Sequence, residues 1–264
     1  MGVRDLRLLM IGDVVGSSGR KALRENVGEL KKEYGLDLVI ANGENAAGGI
    51  GITQESGADL FAAGVDVLTM GNHVWDKKEA LDYLATERRI VRPANYPPGL
   101  PGRGVLIVET ANKCRVAVTN FSGRAFMPAL DCPFRGADAL LKSIEGQADV
   151  IVVDFHAEAT SEKNAFGWHL AGRVAAVCGT HTHIQTADER ILPGGTAYIT
   201  DLGMTGPYDS IIGAKKEKII ERFMIQLPMR MEVATGLYQL NGVIIDIDEL
   251  SGEATSICRV QHYE

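Results

Sequence analysis

The sequence has few cysteines and no long apolar run, and these two absences exclude several classes of protein. Its four cysteines are scattered and form no CxxC pair, which argues against a disulfide framework or a zinc knuckle. No apolar stretch approaches the roughly 20 residues that a membrane-spanning helix needs. The short apolar stretch near the N-terminus carries Asp5 and Asp13 and lacks a small-residue cleavage site, so we expect no secretory signal. These absences predict a cytoplasmic protein that does not engage a membrane.

Positive charge is also scarce. The chain has 27 Lys and Arg against 34 Asp and Glu, which gives a formal net charge of −7. This balance argues against attraction to nucleic acid by bulk charge, so we expect no stable nucleic-acid complex. A small nucleotide or phosphodiester substrate remains compatible, because bound metal ions can reverse the field locally. The oligomeric state stays open, and a homo-oligomer would be compatible with this sequence.

Short apolar runs alternate with amphipathic stretches in the first third of the chain. The predicted order is strand 6–13, helix 19–35, strand 36–45, helix 53–64 with Thr53 as N-cap, strand 65–73 and helix 76–87. This alternation predicts a parallel sheet, because parallel strands need a crossover helix between them.

The rest of the chain predicts a mixture of strand and helix. We expect a hairpin over 104–121, helices at 136–147 and 214–226, strands at 148–158, 173–179 and 196–203, and antiparallel strands in the tail at 236–263. No repeat, low-complexity tract or linker interrupts this order. We therefore expect residues 1–264 to form one α/β domain with mixed sheets.

Polar side chains follow five of the predicted strands at the point where each ends. They are Asp13 after the first, Asn42, Glu44 and Asn45 after the second, Asn72 and His73 after the third, His156 and Glu158 after the fourth, and His181 and His183 after the fifth. Ligands of open α/β sheets bind at the carboxyl ends of the strands. Imidazole and carboxylate without thiolate suit Mn, Fe, Zn or Co. The convergence of these side chains predicts a metal site. His169 and His262 have no other candidate ligands near them in the sequence and are interpreted as structural.

The His181-x-His183 spacing has a geometric interpretation. An extended segment would place both rings on one face, about 6.5–7 Å apart at Cα. Paired ions lie about 3.5–4 Å apart, so each ion could receive one imidazole.

Taken singly, some residues of the set fit simpler roles, because Asn42 and Asn72 could be turn residues and Asp13 a helix cap. The glycine-rich stretches GDVVGSSGR and GGIGIT match neither the dinucleotide fingerprint nor the P-loop.

Several motifs occur together in a recognisable order. They are GDVVG, ANGENAAGG, GNHVWD, FHAE, GTHTHIQTAD and LPGGTAYITDLGMTGP. In this order they resemble the bacterial YmdB-like metallophosphoesterases, a branch of the calcineurin-like phosphoesterases assigned as 2′,3′-cyclic-nucleotide 2′-phosphodiesterases. The resemblance covers essentially the whole chain. It implies a calcineurin-like α/β sandwich, in which two mixed β-sheets pack together and are flanked by helices.

The resemblance also implies a dinuclear site that holds two divalent ions, iron or manganese. One ion would be held by Asp13, Glu44 and His183, and the other by Glu44, Asn72, His156 and His181. Glu44 would therefore bridge the two ions.

Further roles follow from the same resemblance. Asn45 would contact the first ion or the substrate phosphate, and His73 would be the catalytic histidine that protonates the leaving oxygen. The chain departs from the general superfamily pattern at Val15, where a histidine ligand is usual, and at Asp76, which falls later than the usual acid. Both departures are shared with the YmdB-like branch.

The implied reaction is in-line attack on phosphorus by a metal-bound hydroxide, which opens a 2′,3′-cyclic nucleotide to a 3′-nucleotide. Two alternatives stay open: a metal-free or regulatory nucleotide-binding protein, and a metallophosphatase of broader specificity. Arg124 and Tyr208 are candidate substrate contacts on loops, although both could equally be solvated loop residues.

Overall fold

Two mixed β-sheets form the centre of the structure, a computed structural model that describes residues 5–264. The strands are β1 (Asp5–Ile11), β2 (Asp13–Val14), β3 (Leu38–Asn42), β4 (Val67–Thr69), β5 (Ile90–Val91), β6 (Val105–Glu109), β7 (Arg115–Ser122), β8 (Val150–His156), β9 (Ala176–Thr180), β10 (Arg190–Leu192), β11 (Thr196–Ile199), β12 (Met204–Pro207), β13 (Tyr238–Asp248) and β14 (Ala254–Tyr263). The helices are α1 (Gly16–Tyr34), α2 (Gln54–Ala62), α3 (Ala80–Thr86), α4 (Pro133–Ser143), α5 (Thr160–Leu170) and α6 (Lys216–Ile225). Residues 1–4, at the start of the stretch for which no secretory signal is expected, lie outside the described residues.

The first sheet has the strand order β2-β12-β13-β1-β3-β4-β5, with β14 paired to β13. Strands β1, β3, β4 and β5 run parallel, which confirms the alternation expected from the sequence. The second sheet has the order β10-β11-β9-β8-β7-β6, and its four inner strands are also parallel. The expected hairpin joins β6 to β7 at one edge of this sheet.

The two sheets pack face to face because side chains alternate along each strand. On β1, Leu6, Leu8 and Met10 enter the core between the sheets, where Val118 and Val152 meet them from the second sheet. The other β1 face, with Leu9 and Ile11, packs against helices instead. This two-sheet architecture with outer helices confirms the expected fold class.

The helices cover the outer faces of the sheets. Leu23, Val27 and Leu30 of α1 are buried, as their spacing predicts. Helix α2 begins after Thr53, whose side chain accepts a hydrogen bond from the backbone N–H of Ser56, and this confirms the predicted N-cap. The helices α4 and α5 pack on the outer face of the second sheet.

Helix α5 is the main element that the sequence did not predict. Its buried positions are Lys163, Phe166, Gly167 and Leu170, which follow helical spacing. A lysine and a glycine occupy two of these four positions, so the buried face does not form an apolar stripe in the sequence. The short strands β5, β10 and β12 were also not predicted individually, because two to four residues carry too little periodicity. Among residues 5–264, no helix has both the length and the apolar character that crossing a membrane requires.

We expect Leu6→Ala to destabilise the fold by about 2–5 kcal/mol, because it leaves a cavity between the sheets where Leu6 is fully buried. Urea unfolding followed by circular dichroism measures this loss. Leu250→Ala, at a position that is 88% exposed, is the matched control and should change stability by less than about 0.5 kcal/mol. Equal effects of the two substitutions would contradict the assignment of Leu6 to the inter-sheet core.

Candidate metal centre

Strand ends from both sheets bring the predicted ligand residues to one place. Asp13 begins β2, Glu44 and Asn45 follow β3, Asn72 follows β4, His156 ends β8, and His181 and His183 follow β9. The side chains of Asp13, Glu44 and His156 are almost wholly buried, and those of His181 and His183 are 21% and 13% exposed. The site is therefore a buried floor that opens to solvent on the side of the two later histidines.

One group of ligand atoms surrounds Nε2 of His156. This nitrogen lies 2.9 Å from Asn72 Oδ1, 3.0 Å from His181 Nδ1 and 3.1 Å from Glu44 Oε1. Ligand atoms of Glu44, His156 and His181 all lie within 4.8 Å of one another. Such mutual spacing is that of side chains able to share one cation.

Thr180 and Asp154 determine the tautomer of His156. Its Nδ1 lies 2.9 Å from the hydroxyl oxygen of Thr180, and that hydroxyl donates to Asp154 Oδ1 at 2.6 Å. Since the hydroxyl proton goes to Asp154, the Thr180 oxygen accepts from Nδ1–H of His156. Nε2 is then left to bind a proton or a metal ion among the oxygens of Asn72 and Glu44.

A second, looser group forms around His183. Its Nδ1–H donates to the carbonyl oxygen of Ile212 at 2.9 Å, so Nε2 faces the site. That Nε2 lies 3.7 Å from Asp13 Oδ1 and 3.3 Å from Asn45 Nδ2. Asp13 Oδ1 is buried and has no hydrogen-bond partner among residues 5–264, whereas Oδ2 accepts from the backbone N–H of His181. A buried carboxylate oxygen without a donor fits a cation, which would replace the missing partner.

The two buried carboxylates keep their negative charge. Burial alone would raise the pKa of each, but His156 holds the pKa of Glu44 below its usual range and His183 does the same for the pKa of Asp13. Burial opposes protonation of His183, yet Asp13 raises its pKa to about 9. Burial and the adjacent His156 lower the pKa of His181. The protein therefore keeps two negative charges at a buried, solvent-excluded site, and these charges attract cations.

The His181–His183 segment is a turn, and the prediction that it is extended was wrong. Strand β9 ends at Thr180, and the backbone φ angles of His181 and His183 are +99° and +66°. For residues other than glycine this left-handed region costs of order 1–3 kcal/mol each. The turn sends His181 to the group around His156 and His183 to the group around Asp13.

The structure contradicts the simpler role considered for Asp13 but not the one considered for Asn42. Helix α1 has Val15 as its N-cap residue, without a side-chain cap, so Asp13 is not a helix cap. Asn42 makes a turn contact, because its Oδ1 accepts from the backbone N–H of Glu44 at 3.2 Å, and it also joins a buried network, because its Nδ2 donates to the Met70 carbonyl and to Asp154 at 3.1 Å each.

His73 stands beside this floor at the edge of a cavity. Its backbone N–H donates to Glu44 Oε2 at 3.0 Å, and its ring Nδ1 lies 2.6 Å from Asp76 Oδ2. Asp76 therefore orients the ring, although it stands three residues away instead of adjacent. The GNHVWD motif was the available signal for this pair.

The cavity has a volume of about 550 Å³, and four predicted ligand residues form part of its lining: Glu44, Asn45, His181 and His183. The rest of the lining is largely apolar and includes Val15, Gly49, Ile50, Ile212, Met231 and Val233. Arg124 and Tyr208 are not among its lining residues, so the structure does not bring these two predicted contacts to the others. The Tyr208 ring packs edge-on against Tyr263 instead.

Two further acidic residues support the histidines. Glu158 Oε2 lies 3.0 Å from His181 Nε2, and Asp154 holds His156 through Thr180. Glu158 is recognisable in the sequence as a residue at a strand end, but its role is not. Asp154 was missed, because its only signal is a single acid within an apolar strand.

Comparisons with known proteins find similar proteins over nearly the whole chain. The profile of the YmdB-like protein family matches residues 9–260. A 2′,3′-cyclic-nucleotide 2′-phosphodiesterase of Bacillus subtilis is 53% identical over 255 residues, covering 97% of this chain and 96% of that protein. The crystal structure of a novel phosphatase from Mycoplasma pneumoniae superposes with a TM-score of 0.94 at 37% identity, covering 100% of this chain and 95% of that one. A hypothetical protein from Thermus thermophilus superposes with a TM-score of 0.92 at 43% identity, covering 98% of this chain and 100% of that one.

We expect Gly71→Ala to weaken metal binding by about tenfold or more, in the range seen when a site's supporting contacts are lost. A Cβ atom at Gly71 would lie 2.4 Å from Glu44 Oε2 and from His156 Nε2, so both ligands must move. Titration of the metal-free protein with Mn²⁺ measures the change.

The matched control is Gly28→Ala on α1, where a Cβ atom meets nothing within 4 Å in the described part of the chain. It should bind Mn²⁺ like the parent protein and gain up to about 1 kcal/mol of stability from better helix propensity. If Gly71→Ala bound Mn²⁺ as tightly as Gly28→Ala, the ligand assignment of Glu44 and His156 would be rejected.

Proposed function

This chain belongs to the YmdB-like protein family, and from that membership we propose that it is a metal-dependent phosphodiesterase that hydrolyses 2′,3′-cyclic nucleotides to 3′-nucleotides. The observation that carries the proposal is the pair of ligand groups at the floor of an open cavity, both beside the buried Glu44 carboxylate. The relative from Bacillus subtilis, which carries this activity in its name, is similar over nearly the whole chain and supports the substrate assignment.

We assign the two groups to two divalent ions. Glu44, Asn72, His156 and His181 would hold one ion, and Asp13, Glu44 and His183 the other, with Asn45 beside His183 at the second position. Nitrogen and oxygen ligands without thiolate suit iron and manganese. Two observations support the second ion position. Asp13 Oδ1 has no hydrogen-bond partner among the described residues, and the His183 ring directs its Nε2 toward the site.

Bound divalent ions would supply Lewis acidity, which neutralises phosphate charge and lowers the pKa of a water that attacks phosphorus in line. The remaining chemistry falls to the side chains. His73 lines the cavity next to Glu44, and its Nδ1 is held by Asp76, which leaves Nε2 to deliver a proton. We assign to it protonation of the 2′ oxygen as the bond between phosphorus and that oxygen breaks. The 3′ ester bond stays intact, so the product carries a 3′-phosphate.

The cavity suits a nucleoside attached to the phosphate. Its volume of about 550 Å³ lies within the 300–1,000 Å³ typical of small-molecule sites. Ile50, Ile212 and Met231 provide an apolar surface for the ribose and base within the same cavity. The exposed edges of His181 and His183 leave the phosphate position open to that surface.

The proposal is tested by assaying 2′,3′-cyclic AMP hydrolysis before and after treatment with chelator, with separation of 2′-AMP and 3′-AMP. We expect activity to be lost on chelation and restored by Mn²⁺ or Fe²⁺, with 3′-AMP as the product, because phosphoryl charge would be unneutralised without the ions.

Each other outcome selects a different function. Unchanged turnover in chelator would reject metal dependence, and a 2′-AMP product would reject cleavage at the 2′ oxygen. Nucleotide binding without turnover in either condition would favour a metal-free binding protein. Monoester hydrolysis at a comparable rate would favour a metallophosphatase of broader specificity.

We expect His73→Gln to lower kcat for 2′,3′-cyclic AMP by about 10²–10⁴-fold, the usual contribution of a general acid. Mn²⁺ binding should persist, because the His73 backbone N–H, which contacts Glu44, is retained. A bis(p-nitrophenyl) phosphate substrate should lose much less activity, since its leaving group needs no proton.

The matched control is His169→Gln, because His169 is also partly exposed and also contacts an acid, Asp138 at 2.9 Å, yet does not line the cavity. It should leave both activities unchanged. If His73→Gln lost the same fraction of activity on both substrates, the proton-donor role of His73 would be excluded.

A further inference from the structure

A buried ion pair lies directly behind the turn that carries His181 and His183. Lys163 of α5 and Asp201 after β11 are 1% and 0% exposed in their side chains, and Lys163 Nζ lies 2.6 Å from Asp201 Oδ2. Neither residue lines the cavity or belongs to the ligand groups, and the proposed reaction does not use the pair. Burial of two charges is costly unless their hydrogen bonds are well satisfied, so their other contacts matter.

Those contacts lead to the turn and to the strand end beside it. Lys163 Nζ also donates to the carbonyl oxygen of Thr180 at 2.7 Å. Asp201 Oδ2 accepts from the backbone N–H of Thr182 at 3.1 Å and from its hydroxyl at 2.7 Å. The other oxygen, Oδ1, accepts from the backbone N–H of Gly203 at 2.8 Å. The pair thus holds the residue before His181 and the residue between the two histidines.

The turn needs such support because both histidines have left-handed backbone conformations, which they would not adopt unaided. Thr182, between them, donates from its backbone N–H and its hydroxyl to Asp201, while the flanking rings of His181 and His183 lie in the two separate ligand groups. Moving Thr182 would therefore shift both imidazoles at once.

The lysine reaches this position because β9 has a glycine where the side chain passes. A Cβ atom at Gly179 would lie 3.3 Å from Lys163 Cδ and only 1.8 Å from the Thr200 carbonyl oxygen. A side chain at position 179 would clash with Thr200 and crowd the methylene chain of Lys163, so the glycine permits both to approach β9. Helix α5, which follows β8 and its ligand His156, is thereby connected to the two ligands that follow β9.

We propose that Lys163 and Asp201 are positioning residues that hold the His181–Thr182–His183 turn in its metal-binding conformation. This inference rests on the metal centre of the proposed function but is independent of the substrate. The pair sets metal affinity through the turn and touches neither metal nor substrate. Loss of an outer contact of this kind typically weakens metal binding by about 10–100-fold.

The test is titration of the metal-free full chain with Mn²⁺, with free Mn²⁺ followed by electron paramagnetic resonance. The principal variant is Lys163→Met/Asp201→Asn, which removes both charges together and so avoids leaving one buried and unpaired. We expect its Mn²⁺ affinity to fall by about 10–100-fold. Thr182→Val, which deletes one hydroxyl and keeps the ion pair, should weaken Mn²⁺ binding by about tenfold, whereas Thr182→Ser should bind like the parent chain.

Leu6→Ala separates positioning from stability. It weakens the fold at a core site away from the turn and should leave Mn²⁺ affinity within about twofold of the parent value. If the double variant folds and binds Mn²⁺ as Leu6→Ala does, the pair is only structural and the proposal is overturned. If the double variant does not fold, Thr182→Val decides, and parent-like affinity in that variant overturns the proposal.

The outcome is distinguishable from failure of the proposed function. A parent chain that binds Mn²⁺ but hydrolyses no cyclic nucleotide would reject the function and leave this test valid. A parent chain that binds no Mn²⁺ would reject the metal centre and the positioning role together.

Discussion

The buried carboxylates of Asp13 and Glu44 are the constraint around which the site is organised. Each lies out of water, where a lone negative charge is very costly, and each has an imidazole beside it that keeps it ionised. Such charge is tolerated only with cations or donors in fixed positions. The surrounding strand ends supply imidazoles and amides, and within residues 5–264 one Asp13 oxygen still lacks a donor. The metal centre can be understood as the arrangement that completes this charge balance.

The fold meets this constraint by giving the rings at the site partners for their other nitrogen atoms. His156 is held from behind by Thr180 and Asp154, His73 by Asp76, and His181 by Glu158. Thr180 and Asp154 lie on strands, whereas Asp76 and Glu158 lie in irregular segments after β4 and β8. The predicted ligand residues lie at strand ends of both sheets, so the packing of the two sheets also aligns the two ligand groups.

Prediction from the sequence succeeded where periodicity or motif order carried the information. The parallel strands, the amphipathic α1 and the Thr53 cap all follow from local chemistry, and the ligand residues were named because each follows an apolar strand. Helix α5 was not predicted because Lys163 and Gly167 occupy its buried face, and both residues contact parts of the chain that are distant in sequence. The backbone of His181 and His183 escaped for a similar reason, since a positive φ angle at histidine is imposed by the surroundings and not by the residue.

The sequence by itself determined which residue types stand at the strand ends, and thereby the fold class, the family and the chemistry of the ligand set. Only the tertiary structure decided which nitrogen of His156 and His183 faces the site, what backbone conformation His181 and His183 adopt, and which buried pair contacts the turn between those two residues. The physical reason is the separation in sequence of the residues that interact. Strand and helix patterns are encoded by neighbours a few residues apart, whereas ring orientation and charge compensation depend on contacts such as Asp13 with His183, which lie far apart in the chain.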